Sequence, residues 1–265
     1  MRFYPKLIAF DLDGTLLQSD KTISSRTLEL ISKFKQKGVI IVICTGRPIR
    51  SAMPVIEQYS LHGLSISYNG AYIFDSNKNE ELTFFGMPKE TVCNTITHVK
   101  SKFPKAMAAI ELRNGWYTET EYYRFRKLRS ELMSEPNGIG NLADFIDEKV
   151  MKVLFRHPTK NSKELSKALK NLNVHGTWSF ESLLEVSGKN VNKANALRWL
   201  ADKYKIKAKY IAAFGDQNND KEMLSWAGFG VAMGNAVKEA KQAANFVAKS
   251  NDDEGIAEVL EMWLS

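Results

Sequence analysis

Residues 7–16 read Leu-Ile-Ala-Phe-Asp-Leu-Asp-Gly-Thr-Leu. Leu7–Phe10 has the length and apolarity of a buried strand, and it stops at Asp11. In extended chain, residues two apart share a face, so Asp11 and Asp13 can leave the strand end on the same side. An Asp-x-Asp pair alone is cheap, since a chain this long shows about one by chance. Its position gives it value, because ligands of open α/β sheets bind beyond the carboxyl ends of the strands. A calcium loop is excluded, as the further acidic positions and the closing Glu are missing. A solvated turn is the plain alternative.

Outward from this stretch the chain alternates strands and helices. Leu28, Ile31 and Phe34 recur at helical spacing, with Ser24 or Ser25 as a cap and Gly38 as a stop. Val39–Cys44 is a second apolar run ending at Thr45-Gly46-Arg47, a helix is expected from about Pro48, and Ser65–Tyr68 reads as a third strand running into Asn69-Gly70. The last third resumes the pattern. Asn195–Tyr204 is an amphipathic helix, and Tyr210–Phe214 is a strand ending at Gly215-Asp216. Met223, Leu224 and Ala227 mark another helix, and Phe229–Met233 and Phe246–Ala248 two short strands. Ile256, Leu260 and Trp263 mark a C-terminal helix. Short apolar strands separated by helices predict a parallel sheet covered on both faces. From about Leu82 to Val186 the pattern changes to alternating strands (Val150–Phe155, Gly176–Phe180) and two helices, one carrying Val92, Ile96, Val99 and Phe103. That stretch is expected to be an inserted α+β domain.

Two more strand ends carry polar groups suited to one task. At Thr45-Gly46 a hydroxyl is followed by a glycine that lets a backbone N–H approach a phosphate oxygen. Gly215-Asp216-Gln217-Asn218-Asn219-Asp220 opens a helix with carboxylates and amides, oxygen ligands of the kind magnesium takes. Helix capping is an equally good account of that segment by itself. Three strand ends with complementary phosphate and metal chemistry are much harder to obtain by accident.

The composition leaves room for this chemistry and excludes others. The 265 residues are 44% hydrophobic and 25% charged, ordinary for a globular chain of one large or two modest domains. No run approaches the roughly 18 apolar residues of a membrane span, and Met1–Gly14 lacks the pattern of a signal peptide. Cys44 and Cys93 match no metal or redox spacing, so a reducing cytoplasm is the expected home. The net charge of +7 is spread along the chain: residues 84–187 hold 16 basic and 12 acidic side chains. Spread positive charge favours anionic small molecules and is weak evidence for nucleic acid.

In order, DLDGTL (11–16), TGR (45–47), Lys193 in VNKANAL and GDQNND (215–220) closely resemble the four motifs of the haloacid dehalogenase superfamily. NGA (69–71), MGNA (233–236) and a long insert between the second and third motifs resemble its Cof-type phosphatase branch. The resemblance implies a Rossmann-like α/β catalytic core, residues 1–83 and 188–265, and an α+β cap, residues 84–187, that selects the substrate. It also implies Asp11 as the nucleophile forming an aspartyl-phosphate and Asp13 as general acid and base. Mg²⁺ would be bound by Asp11, the backbone carbonyl of Asp13 and Asp216, with Asp220 supporting. Leu12, Thr45, Gly46, Lys193 and Asn219 would hold the phosphate. The expected substrate is a small phosphorylated metabolite such as a sugar phosphate, FMN or pyridoxal phosphate. Phosphate transfer to an acceptor other than water, as in a phosphomutase, and a regulatory binding protein on the same fold are the alternatives. The third-motif lysine is commonly followed by Gly in this branch, whereas Lys193 precedes Ala194. Lys189, four residues earlier, is its competitor and reads as a solvated loop lysine.

Other signals are weaker. His62, His98, His157 and His175 form no ligand spacing. The segment Tyr122–Arg129 mixes aromatic and basic residues, as single-strand nucleic-acid binders do. A cap helix, or a basic face over an anionic substrate, explains it as well, and no nucleic-acid partner is expected. Trp116 and Tyr117, after the Asn114-Gly115 turn, are candidate cap contacts to a sugar or a flat ring, with cap core as the alternative. No oligomer is demanded, and a monomer is compatible with this reading.

Overall fold

The computed structural model describes residues 3–113, 115–131, 134–147 and 149–264. Asn114 of the expected turn lies outside them. The chain divides into two compact units, one formed by Met1–Thr83 with Asn192–Ser265 and the other by Phe84–Val191.

In the first unit the N-terminal segment supplies β1 (Leu7–Phe10), α1 (Ser25–Gln36), β2 (Ile40–Cys44), α2 (Ile49–Gln58), β3 (Leu64–Ser67), β4 (Tyr72–Asp75) and β5 (Glu80–Phe84). Local chemistry accounts for these limits. Ser24 caps α1 by accepting from the Thr27 N–H, and Gly38, at φ +80°, turns the chain into β2. All of β1 is buried, as expected of a central strand with helices on both faces.

The second unit follows with α3 (Lys89–Lys102), β6 (Met107–Leu112), β7 (Gly115–Thr118), α4 (Thr120–Leu128), β8 (Gly138–Ile139), α5 (Leu142–Phe145), β9 (Lys152–Arg156), α6 (Ser162–Ser166), β10 (Val174–Phe180) and β11 (Leu183–Gly188). Its sheet runs β10-β11-β9-β6-β7-β8, antiparallel except where β7 meets β8. One face of that sheet carries Ala108, Ile110, Val153, Phe155, Leu184 and Val186, packed with Val92 and Val99 of α3 and Leu165 of α6.

The chain then returns to the first unit with α7 (Lys193–Lys203), β12 (Ile211–Gly215), α8 (Lys221–Trp226), β13 (Phe229–Ala232), α9 (Lys238–Ala243), β14 (Phe246–Val247) and α10 (Gly255–Leu264). The core sheet has the order β14-β13-β12-β1-β2-β3-β4-β5. Neighbours from β14 through β3 are parallel, so β1 lies between β12 and β2 and sends Asp11 out at the centre of the sheet. Helix α10 meets α1 through an edge-on contact of Trp263 with Phe34, at 6.4 Å between ring centroids. No helix among the described residues is long and apolar enough to cross a membrane.

The α/β class holds, with three differences from the sequence expectation. The core sheet is not wholly parallel, because β4 pairs with β3 antiparallel. Only Tyr68–Ala71 joins them, whereas a parallel partner needs a crossover of about a dozen residues. The second unit has four α-helices among its described residues, not two, since α5 and α6 are one-turn elements too short to show a period. Helix α7 begins at Lys193, two residues earlier than its apolar stripe, because Asn192 caps it by accepting from the Asn195 N–H.

Candidate active site

Asp11 leaves the end of β1 and is buried with its side chain against Lys193, the first residue of α7. The Lys193 Nζ donates to Asp11 Oδ1 at 2.6 Å and to Asp220 Oδ1 at 2.7 Å. Asp220, fully buried, turns its other oxygen to the backbone N–H groups of Asp216 (3.0 Å) and Gln217 (2.9 Å). Asp216 in turn accepts from Thr15 Oγ1 and Gln217 Nε2, both at 2.9 Å. Ligand oxygens of Asp11, Asp216 and Asp220 lie within 4.8 Å of one another. Two strand-end loops and the first turn of α7 therefore close on one spot. Their approach is tight: a Cβ on Gly14, itself at φ +80°, would stand 2.5 Å from Asp216 Oδ2.

The electrostatics follow from three carboxylates around one ammonium in a dry place. Burial lifts the Asp11 carboxyl well above its usual range; Lys193 pulls it down, while Asp220 and Asp216 push it further up. Burial, then Asp220, raises Asp216 to about 6. Burial on its own would lower the Lys193 ammonium, but Asp11 and Asp220 hold it above its ordinary value. Excess buried negative charge of this kind is what a divalent cation relieves, and the donors are the hard oxygens that Mg²⁺ takes. Asn219 adds a second sign of fit: its Oδ1 is buried without a hydrogen-bond partner, an acceptor suited to a water of a hydrated cation. Among the described residues no other group of three or more His, Cys, Asp or Glu is arranged to hold a metal.

Asp13 sits differently. Its side chain is 44% exposed and grips Arg47 with two hydrogen bonds of 2.6 Å, while Lys21 Nζ reaches it at 3.2 Å. Burial would raise its carboxyl, but Arg47 and then Lys21 outweigh that and leave it below the ordinary value. Thr45 is buried at the end of β2, its Oγ1 accepting from the Arg47 N–H. Gly46 faces Asn69, whose Oδ1 accepts from Asn219 Nδ2 at 2.9 Å. A Cβ on Gly46 would come within 2.8 Å of that Oδ1. The Leu12 side chain is fully buried, and its carbonyl accepts from the Thr15 and Leu17 N–H groups within the same loop.

The structure thus brings together Asp11, Lys193, Asp216 and Asp220, and it links Thr45 to Arg47 and Gly46 and Asn219 to Asn69. Lys189 is exposed. Trp116 and Tyr117 do not meet at one place: Trp116 is buried with Tyr122 and Leu154, whereas Tyr117 stacks on Phe145 at 4.9 Å on the opposite face of β7. The basic side chains of the Tyr122–Arg129 segment lie over aromatic rings, Arg129 over Phe125 and Arg126 over Trp116 of β7. The sequence placed Thr15, Arg47 and Asn69 in motifs but assigned none of them a role. Asn69 had left a signal, because an Asn-Gly pair at a strand end favours the left-handed backbone it adopts, at φ +56°. Cys44 is a buried strand residue whose thiol burial pushes up in pKa.

The chain matches the haloacid dehalogenase-like hydrolase family over residues 8–260. It belongs to that family. Across its whole length it is 31% identical to a Bacillus subtilis 5-amino-6-(5-phospho-D-ribitylamino)uracil phosphatase, which it also covers completely. It is 29% identical to a Serratia proteamaculans HMP-PP phosphatase, over 98% of this chain and 95% of the other. A solved haloacid dehalogenase-like hydrolase from B. subtilis superposes with a TM-score of 0.83 at 26% identity, covering 97% of this chain and 99% of that one. The chain is an enzyme of the phosphatase branch of this family.

Proposed function

We propose that this haloacid dehalogenase-like phosphatase is Mg²⁺-dependent and hydrolyses small phosphorylated metabolites through an aspartyl-phosphate on Asp11. The observation that carries the reading is the convergence of Asp11, Asp216 and Asp220 on Lys193, with the half-exposed Asp13 two residues along from Asp11.

In this mechanism an Asp11 oxygen attacks phosphorus and the bond to the leaving oxygen breaks, while Asp13 delivers a proton to that oxygen. Water then attacks the phosphorus of the aspartyl-phosphate and gives its proton to Asp13, so that inorganic phosphate leaves and the Asp11 carboxylate is restored. The pair with Arg47 keeps Asp13 ionised, the form that takes the proton of water. Proton delivery in the first half requires that pair to open. Lys193, Thr45, the Gly46 amide, Asn219 and the Leu12 backbone would hold the phosphoryl oxygens. Asp11, Asp216 and the Asp13 carbonyl would hold Mg²⁺, with Asp220 fixing Lys193 and the Asp216 loop. Bound there, the ion supplies the positive charge that lets an anionic carboxylate meet an anionic phosphate.

The second unit would act as the cap that selects the leaving group. Sugar phosphates, FMN and pyridoxal phosphate are the expected substrate types, and the phosphoribitylaminouracil named for the B. subtilis relative fits that range. Two free cysteines support a cytoplasmic home. The test is phosphate release from a panel of these compounds, with Mg²⁺ and with chelator. Metal-dependent release, abolished in Asp11→Asn and reduced about 100-fold or more in Asp13→Asn, is expected. Release that survives in Asp11→Asn would overturn the mechanism.

A further inference from the structure

The motif Met233-Gly234-Asn235-Ala236 has no part in the mechanism above, yet it forms the strand-end loop after β13, beside the loop that carries Asp216. Its backbone is bound to that neighbour twice. The Met233 N–H donates to the Gly215 carbonyl at 3.1 Å, and the Val237 N–H to the Asp216 carbonyl at 2.9 Å. On its other side the Gly234 N–H donates to the Lys249 carbonyl, and the Gly234 carbonyl accepts from Lys241 Nζ at 2.6 Å. A Cβ on Gly234 would stand 2.7 Å from the Ser250 nitrogen. The place of Asn235 is therefore set by the backbone around it, whatever its own side chain does.

That side chain reaches across to the loop after β1. Asn235 Nδ2 donates to the Gly14 carbonyl at 2.8 Å, and its Oδ1 accepts from the Asn251 N–H at 3.1 Å. A carbonyl on one side and an N–H on the other fix which way the amide points, and a carboxylate could not donate to Gly14. The register of β1 on β12 ends at Phe10 opposite Phe214, with the Asp11 N–H on the Phe214 carbonyl. Past that point the two loops are joined by side chains, Thr15 Oγ1 on Asp216 Oδ1 and Asn235 on Gly14. A ring results: Asp216, the 233–237 loop, Asn235, Gly14, Thr15 and back to Asp216. Gly14 directly follows Asp13, so the ring spans two of the groups read above as holding Mg²⁺, the Asp13 carbonyl and the Asp216 carboxylate. Asn235 itself is exposed, and a hydrogen bond in reach of water adds little to folding. Its effect is on where the Asp13–Gly14 turn stands.

We propose that Asn235 is a positioning residue for the metal: it holds the Asp13–Gly14 turn against the Asp216 loop, at the separation at which both donate to one Mg²⁺. The proposal rests on the phosphatase reading above. The test titrates Mg²⁺ into the substrate-free full chain by calorimetry and, in parallel, follows hydrolysis of p-nitrophenyl phosphate against Mg²⁺ concentration. Asn235→Ala should raise the Mg²⁺ Kd about tenfold or more, as is usual for groups that orient a metal ligand. The half-saturating Mg²⁺ concentration should rise with it, while KM for the ester at saturating Mg²⁺ stays as in wild type. In chelator the variant should melt within about 2 °C of wild type, as expected for an exposed side chain. Asn251→Ala is the control. It removes a bond of the same kind, from Nδ2 to the Leu17 carbonyl at 2.9 Å, three residues further along the same loop, and it keeps the Asn251 N–H. It should bind Mg²⁺ as wild type does. An unchanged Kd in Asn235→Ala, or an equal loss in Asn251→Ala, would overturn the proposal and leave the phosphatase reading standing. So would a loss of affinity that comes with a melting temperature several degrees lower in chelator, which would assign Asn235 to the fold. A wild type that neither binds Mg²⁺ nor releases phosphate would sink both readings.

Discussion

Lys193 has no exposed surface and holds two carboxylates that would otherwise repel each other in a dry site. Removing one partner of a buried charge pair costs more than the pair contributes, because the remaining charges lose both their partner and their water. In chelator, Lys193→Ala should therefore lose about 3–5 kcal/mol of stability, read from the urea midpoint, together with most of the phosphate release. Lys189→Ala, on an exposed loop side chain, should stay within about 0.5 kcal/mol and keep its activity. The reverse ranking would return the role to Lys189. The Ala that follows Lys193 in place of the commoner Gly sits inside a helix whose first turn is already capped by Asn192, so it leaves the lysine's position unaltered.

At the scale of elements, the site is a set of strand ends, and this decides what could be read in advance. Apolar runs that stop on polar residues are local signals, so β1, β2, β3 and β12 and the groups beyond them were visible at Asp11, Thr45, Asn69-Gly70 and Asp216. Asn192 as the cap of α7 was less visible, because its stripe begins two residues later. The strands β6 and β7 left little trace. Met-Ala-Ala-Ile-Glu-Leu has no alternation of polarity, since both faces of β6 are buried, and its one acid, Glu111, is buried with them. The Asp13–Arg47 pair joins two loops 34 residues apart, a contact that only the register of β1 on β2 creates. The approach of the β2 and β3 ends gives a direct test. Gly46→Ala drives a methyl toward Asn69 Oδ1, and Asn69 can yield only by loosening its bond to Asn219. Misplacing a phosphate-holding loop by a fraction of an ångström should lower kcat at least about tenfold with little change in melting temperature. A variant with wild-type kcat would show that this loop does not touch the reacting group.

At the scale of the whole molecule, the second unit interrupts the first, yet the core regains one continuous sheet around β1 and β12. That is affordable because the insert brings its own ends together: Met87 bridges Val150 and lies near Gly188, so the core meets a short connection and not a loop of over a hundred residues. The second unit has its own apolar core, and the proposed metal-holding residues Asp11, Asp13 and Asp216, with Asp220 behind them, all belong to the first. A cation that binds the folded core alone stabilises it by mass action, about 2.7 kcal/mol at a hundredfold excess over its Kd. For a unit of this size that corresponds to a rise of about 5–10 °C in Tm. Mg²⁺ should therefore move the melting of the core, while melting of the insert, where it resolves separately, stays in place. The sign of the response in variants is fixed by charge. Asp216→Asn removes one buried carboxylate from the repelling cluster, so in chelator it should melt at or above the wild-type temperature and gain little from Mg²⁺. Asp13→Asn keeps the backbone carbonyl proposed as a ligand and should retain most of the Mg²⁺ shift while losing catalysis. An equal Mg²⁺ shift in wild type and Asp216→Asn would place the ion elsewhere and leave the strain among the three aspartates to Lys193 alone.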